Sequence, residues 1–198
     1  MNILQLETSL FLGKGRERAC YIHPEDHKKV VKVVYRLDQK LNQNEMEYKY
    51  IKYLHKNEVN FSHLTDCYGC INTNLGLGYI FDRVLDYDGK QSESFKFMVL
   101  NSLLSQDEEL KLLEELKEYL FKNNIIFVDI ALSNILCKKI NQKSYKLILT
   151  DGIGGKRNGF KAMLYQYSKI YTKYKIIKQW NKLILRYRKV SSKRCMSI

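Results

Sequence analysis

The apolar residues of the first third of the chain come in short runs and then recur at helical spacing, and this change of period marks the first element boundary. Leu10 to Gly15 reads as an apolar strand end running into glycines, and Ala19 to His23 resumes an extended pattern. Val30-Val31-Lys32-Val33-Val34-Tyr35 is rich in the β-branched residues that fit a pleated sheet. Three antiparallel strands are predicted. From about Gln39 to His55 the spacing is helical, with Glu47, Tyr50, Ile51 and Leu54 at i, i+3, i+4 and i+7, so the apolar face carries a carboxylate. Cys67 to Asn72 and Gly78-Tyr79-Ile80-Phe81 predict two further strands around a turn at Thr73-Asn74-Leu75-Gly76.

Farther along, Ser105-Gln106-Asp107-Glu108 places acids in a first helical turn. Leu110, Leu113, Leu116 and Leu120 continue that helix to a stop at Asn123-Asn124. Three short apolar runs, Ile125-Ile126-Phe127-Val128, Ile135-Leu136-Cys137 and Tyr145 to Thr150, predict strands. After Gly159 helical spacing returns. Ile170, Tyr174, Ile177, Asn181 and Ile184 trace a stripe near period 3.6, widened by Trp180 and Leu183. The expected packing buries Ile177, Trp180 and Ile184 and leaves the lysines in water.

A chain of 198 residues with 45% hydrophobic and 12% aromatic residues can bury a core, which argues against disorder. The N-terminal residues do not read as a signal peptide, and no apolar run reaches the roughly 20 residues that span a bilayer, so the cytoplasm is the expected compartment. Five scattered cysteines do not resemble a secreted disulfide framework and are expected as free thiols. The net charge of +13 gains meaning from its position. Acidic and basic residues balance up to Asp151, whereas Gly152 to Ile198 holds 13 basic residues and no acidic one. A segment of one sign seeks an anionic partner or stays solvated.

The candidate chemistry gathers where apolar runs end. Asp129 closes one run, Asn134 follows five residues later, and Asp151 closes the next long run before Gly152-Ile153-Gly154-Gly155. Phosphoryl transfer needs one carboxylate to orient or deprotonate a hydroxyl, here Asp129. It also needs an Asn and a second carboxylate, here Asn134 and Asp151, to hold Mg²⁺ on the phosphates of ATP. Taken singly, each Asp could merely cap a turn. What shifts the balance is the order upstream, where kinases place a Gly-rich loop, a strand lysine and a helix glutamate. Gly13 and Gly15 supply two glycines of that loop, Arg18 stands in the third slot, and Cys20 stands where a residue covers adenine. Lys32, inside a strand of valines, is expected to pair with Glu47, with Glu45 as the fallback.

From about residue 10 to residue 155 this order resembles the eukaryotic-like kinase superfamily. More narrowly, LGKGRERACYIHPED, VVKVVY, GLGYIFDRVLDYDGK and the NILC that begins at Asn134 resemble the YrbL family of bacterial proteins, named for the PhoP regulatory network. The resemblance implies an α+β, protein-kinase-like fold. It divides into a small antiparallel-sheet N-lobe over 1–84 and a reduced helical C-lobe over 85–198, with nucleotide between them. Departures narrow the reaction. Phe127-Val128-Asp129 replaces His-Arg-Asp, no lysine lies between Asp129 and Asn134, Asp151-Gly152-Ile153 replaces Asp-Phe-Gly, and no Ala-Pro-Glu follows. A glycan or lipopolysaccharide-type hydroxyl is the expected acceptor rather than a protein.

Three other readings compete. A pseudokinase adaptor would keep the fold and use the basic C-terminal face to meet an anionic partner, or the inner membrane peripherally. Tyrosines and Trp180 among those cations permit nucleic-acid binding, but no recognised motif supports it. His63, Cys67 and Cys70, with His55, offer zinc-type ligands without the second C-x2-C pair of a structural site.

Overall fold

The computed structural model describes residues 3–15, 17–35, 43–154 and 169–194. The first half forms a five-stranded sheet from β1 (Phe11–Lys14), β2 (Arg18–Ile22), β3 (Lys29–Val34), β4 (Cys67–Thr73) and β5 (Gly76–Asp82). The order is β1-β2-β3-β5-β4 and every pairing is antiparallel. Helix α1 (Gln43–Lys56) lies between β3 and β4 in sequence, and it buries Asn44, Glu47, Tyr50, Ile51 and Leu54, which is the face its spacing predicts. The β4–β5 turn falls at Asn74-Leu75, where the Thr73 hydroxyl donates to Gly76 O at 2.6 Å.

Strand β3 explains its own valines. Side chains alternate along a strand, so Val30 and Lys32 share the face toward α1, while Val31 and Val33 share the other. Leu4 and Leu6 cover that second face and form a small core with Val31 and Val33. The N-terminal segment is held there by Asn74, whose Oδ1 accepts from Leu6 N–H at 2.8 Å. A strand covered on both sides reads as a near-continuous apolar run, and Lys32 is the exception on its inward face.

The second half contains α2 (Phe95–Leu100), α3 (Gln106–Lys122), α4 (Lys169–Ser191) and a three-stranded antiparallel sheet of β6 (Glu93–Ser94), β7 (Ile135–Lys139) and β8 (Tyr145–Leu149). Helix α3 begins with a complete capping box: Ser105 accepts from Glu108 N–H and the Glu108 carboxylate accepts from Ser105 N–H. Its buried face is Leu112, Leu113, Leu116, Tyr119 and Leu120, with Leu110 exposed. One apolar core runs from Val30 and Phe81 through α1 and α3 to Trp180 and Leu183 of α4. The segment between α1 and β4 joins the two sheets, because Thr65 N–H donates to Leu149 O at 3.1 Å and Leu149 N–H to His63 O at 2.9 Å.

Two expectations are corrected. Ile125-Ile126-Phe127-Val128 is not a strand: it is buried loop with a single bridge from Phe127 to Ile153. On α4 the inward stripe is Ile176, Trp180, Leu183 and Tyr187, with Thr172 and Gln179 beside it, while Ile170, Tyr174 and Ile177 face outward. Contact with α2 and α3 decides the rotation. The basic stretch over 155–168 lies outside the described residues.

Candidate active site

Strand β8 ends at Leu149, and the chain turns at Asp151-Gly152, where Gly152 takes φ +77°. A Cβ on Gly152 would stand 2.5 Å from Asp129 Cβ, so the turn can lie against the Asp129 loop only because that residue is glycine. Val128 N–H donates to Gly152 O at 2.7 Å, and Gly154 N–H donates to Ile126 O at 2.8 Å. On the other side Thr150 donates to Asn134 O from both its N–H, at 3.0 Å, and its hydroxyl, at 3.1 Å. Backbone hydrogen bonds therefore seat Asp129 and Asn134 on either side of Asp151. The side chains of Asp129 and Asn134 make no hydrogen bond among the described residues.

Asp151 itself is committed. The Arg18 guanidinium, buried at the start of β2, donates to Asp151 Oδ1 through Nη2. It also reaches Glu47 with both terminal nitrogens, Nη1 to Oε2 at 2.9 Å and Nη2 to Oε1 at 3.4 Å, and Nη1 reaches Asn44 Oδ1 at 2.6 Å. Glu47 Oε1 in turn accepts from Gly152 N–H at 2.8 Å. One buried glutamate of α1 thus holds the sheet through Arg18 and the Asp151-Gly152 turn through a backbone donor. The planar two-pronged guanidinium suits this bidentate geometry.

The expected Lys32–Glu47 pair is not formed, and Arg18 takes that position. Lys32 Nζ donates to Thr150 O at 2.6 Å and lies 4.1 Å from the centre of the Phe81 ring. Glu45, the fallback, faces Lys49 at 2.6 Å on its own helix. Lys32 still acts on the cluster at a distance. Burial pushes the Asp151 carboxyl up, but the charges of Lys32 and Arg18 more than offset this and hold it down at about 2. Burial pushes Glu47 up, against the charge of Arg18.

Gly13 pairs with Cys20 across the β1–β2 hairpin, and Cys20 pairs with Lys32 across β2–β3. Gly15 N–H closes the hairpin on Arg18 O at 2.8 Å. Burial raises the Cys20 thiol, which favours the neutral form and a packing role. Arg18 was the residue missed, yet a signal exists. Arg18 and Cys20 share a strand face, and Cys20 is opposite Lys32, so an inward Lys32 requires an inward Arg18.

His63 Nδ1 stands 2.8 Å from Leu147 O and His55 Nε2 2.9 Å from Asp66, so both rings tie structural segments. Among the described residues no group of three or more His, Cys, Asp or Glu side chains could hold a metal ion. An ionised Asp151 and the amide oxygen of Asn134 are hard donors of the kind Mg²⁺ accepts, so these two residues would suit that ion.

The family described as PhoP regulatory network protein YrbL matches this chain over residues 4–188. The chain belongs to the YrbL family. Two family members, the proteins named Uncharacterized protein YrbL from Escherichia coli (strain K12) and from Shigella flexneri, are each 32% identical to it over 155 residues, covering 77% of this chain and 74% of theirs. The structure of Rad53 1-466 in complex with AMP-PNP superposes with a TM-score of 0.52 at 13% identity, covering 84% of this chain and 44% of that one. The YrbL fold is α+β and protein-kinase-like. Within that fold the Arg18–Glu47–Asp151 cluster stands where the sequence order leads one to look for a lysine–glutamate pair and a metal-binding aspartate.

Proposed function

We propose that this YrbL-family chain is an ATP-dependent phosphotransferase whose acceptor is a glycan or glycolipid hydroxyl. The observation that carries the reading is the seating of Asp129 and Asn134 on either side of an ionised Asp151, with both of their side chains unbonded among the described residues. Asp129 orients the acceptor hydroxyl and takes its proton. Asn134 and Asp151 would hold Mg²⁺, which supplies charge neutralisation on the phosphates. Lys32 and Arg18 bring two positive charges beside Asp151, although none lies between Asp129 and Asn134 in the sequence. Gly13 adds support of a different kind. A Cβ there would meet nothing within 4 Å, so the chain's own packing does not call for glycine, whereas close approach of a phosphate to the backbone would. The reading carries with it a cytoplasmic location, where ATP is supplied.

A second reading, an adaptor of kinase-like fold without transfer, is favoured by the guanidinium seated on Asp151, since it occupies one oxygen of the carboxylate a metal would use. Thermal denaturation with ATP, with and without Mg²⁺, separates the two. Under the phosphotransferase reading the nucleotide raises the Tm in a Mg²⁺-dependent way, and Asp151→Asn and Lys32→Ala abolish that rise. No metal-dependent stabilisation of the wild type would sink the catalytic reading. Stabilisation without transfer to any sugar or lipid hydroxyl, or to water, would favour the adaptor.

A further inference from the structure

Helix α4 is apolar on two faces, and the fold uses one of them. Ile176, Trp180, Leu183 and Tyr187 are buried, but Ile170 is 84%, Tyr174 61%, Leu185 63% and Ile177 47% exposed. At 3.6 residues per turn those four outward side chains fall within an arc of about 80°, turned by roughly 130° from the buried arc. Asn181 and Arg188 share the outward arc, and Lys173 stands on one flank with Lys178, Lys182 and Lys189 on the other. All of these cations are exposed, none is in an ion pair among the described residues, and α4 contains no acidic residue.

We propose that this outward face of α4 docks on an anionic lipid surface. An aliphatic and aromatic stripe bordered by lysines is the pattern of a helix lying in a bilayer interface, with the apolar side chains below the headgroups and the ammonium groups level with anionic lipids. From Ile170 to Leu185 the stripe runs about 22 Å along the helix, long enough for several of its apolar side chains to enter one bilayer interface together. Charge argues against a second copy of the chain as occupant, because pairing two such faces would bring lysines against lysines. Nucleic acid would answer the lysines but leaves the exposed isoleucines and leucine without purpose. The contact is peripheral, since no helix among the described residues is long and apolar enough to cross a membrane. This inference is independent of the reaction at Asp151.

Co-sedimentation of the full chain with phosphatidylcholine vesicles, alone or mixed with phosphatidylglycerol, tests it. Binding is expected to the mixed vesicles at low salt and not to phosphatidylcholine alone. Replacing Lys178 and Lys182 with Gln lowers partitioning about 25-fold, from about fivefold per lysine. Ile177→Ser with Leu185→Ser lowers it at least about tenfold, with the far-UV spectrum and Tm unchanged because both positions are exposed. Wild type that ignores anionic vesicles overturns the proposal. So does vesicle binding that survives Ile177→Ser with Leu185→Ser, or a dimer that those substitutions dissociate in the absence of lipid.

Discussion

Among the described residues two arginines reach buried glutamates, and their surroundings differ. Glu109 on α3 receives Arg194 and the Tyr187 hydroxyl, the latter at 2.8 Å, and Arg194 Nε donates to Val99 O at 3.0 Å. That cluster is closed: each partner is spent on tying the end of α4 to α2 and α3. Glu47 receives Arg18 and a backbone donor, but Arg18 goes on to Asp151, which borders Asp129 and Asn134, whose side chains make no hydrogen bond among the described residues. The first cluster ends in saturated partners, whereas the second borders two polar side chains that make no hydrogen bond among the described residues. The same pair of residue types therefore holds a helix in one place and reaches the Asp151-Gly152 turn in the other.

The largest effects separate these roles. Glu47→Ala leaves a buried guanidinium half-paired and Gly152 N–H without its acceptor, and should cost about 3–5 kcal/mol in urea denaturation. Replacing both partners, Arg18→Met with Glu47→Leu, removes the buried charges together and should return stability to within about 2 kcal/mol of wild type. Nucleotide-dependent stabilisation should stay lost. The matching replacement at the closed cluster, Glu109→Leu with Arg194→Met, should recover stability equally and keep the nucleotide response intact. If the response disappears in both double variants, the distinction between clamp and site is wrong.

A smaller effect tests the turn that brings Asp151 to Asp129. Gly152→Ala must place a Cβ 2.5 Å from Asp129 Cβ while holding φ +77°, so a loss of about 2–3 kcal/mol is expected. Gly154 has the same φ but faces the Tyr50 ring at 2.8 Å rather than Asp129. Gly154→Ala should therefore lower the Tm by a similar amount while leaving the nucleotide response of the folded fraction unchanged. Equal loss of nucleotide response in both variants would mean that the turn matters only for folding.

The parts of this arrangement readable from sequence are those encoded locally. The inward face of α1, the Thr73–Gly76 turn and the start of α3 at Ser105 to Glu108 follow from spacing and from residues that are neighbours in the chain. Asp129 and Asp151 drew notice because each ends an apolar run, and Asn134 because it follows Asp129 by five residues. Arg18 required the register of β2 against β3, which no window along the chain contains. Ile125 to Val128 was misread because a buried loop and a buried strand are equally apolar, and only the bonds to 152–154 tell them apart. On α4 two apolar arcs compete, and polar Thr172 and Gln179 dilute the one that is buried, so periodicity favoured the outward arc. Leu4 and Leu6 form too short a pattern to show a period, although they cover half of β3.

The smallest expected effect concerns protons, and it asks whether Asp151 is held by both cations. Its carboxyl is depressed to about 2 in the folded chain, against about 3.9 for an ordinary Asp in the unfolded one. A depressed carboxyl contributes stability that is complete above the unfolded value and is lost as pH falls through the folded one. In metal-free buffer, wild type should therefore lose on the order of 2 kcal/mol relative to Asp151→Asn between about pH 5 and pH 2. Arg18→Met removes the contacting cation and leaves Lys32, whose charge acts without touching the carboxylate. The acid-dependent loss should then shrink but persist, and removing Lys32 as well should abolish it. A loss unchanged by Arg18→Met would mean that the guanidinium is seated on Asp151 for geometry alone, which would make the open cluster resemble the closed one after all.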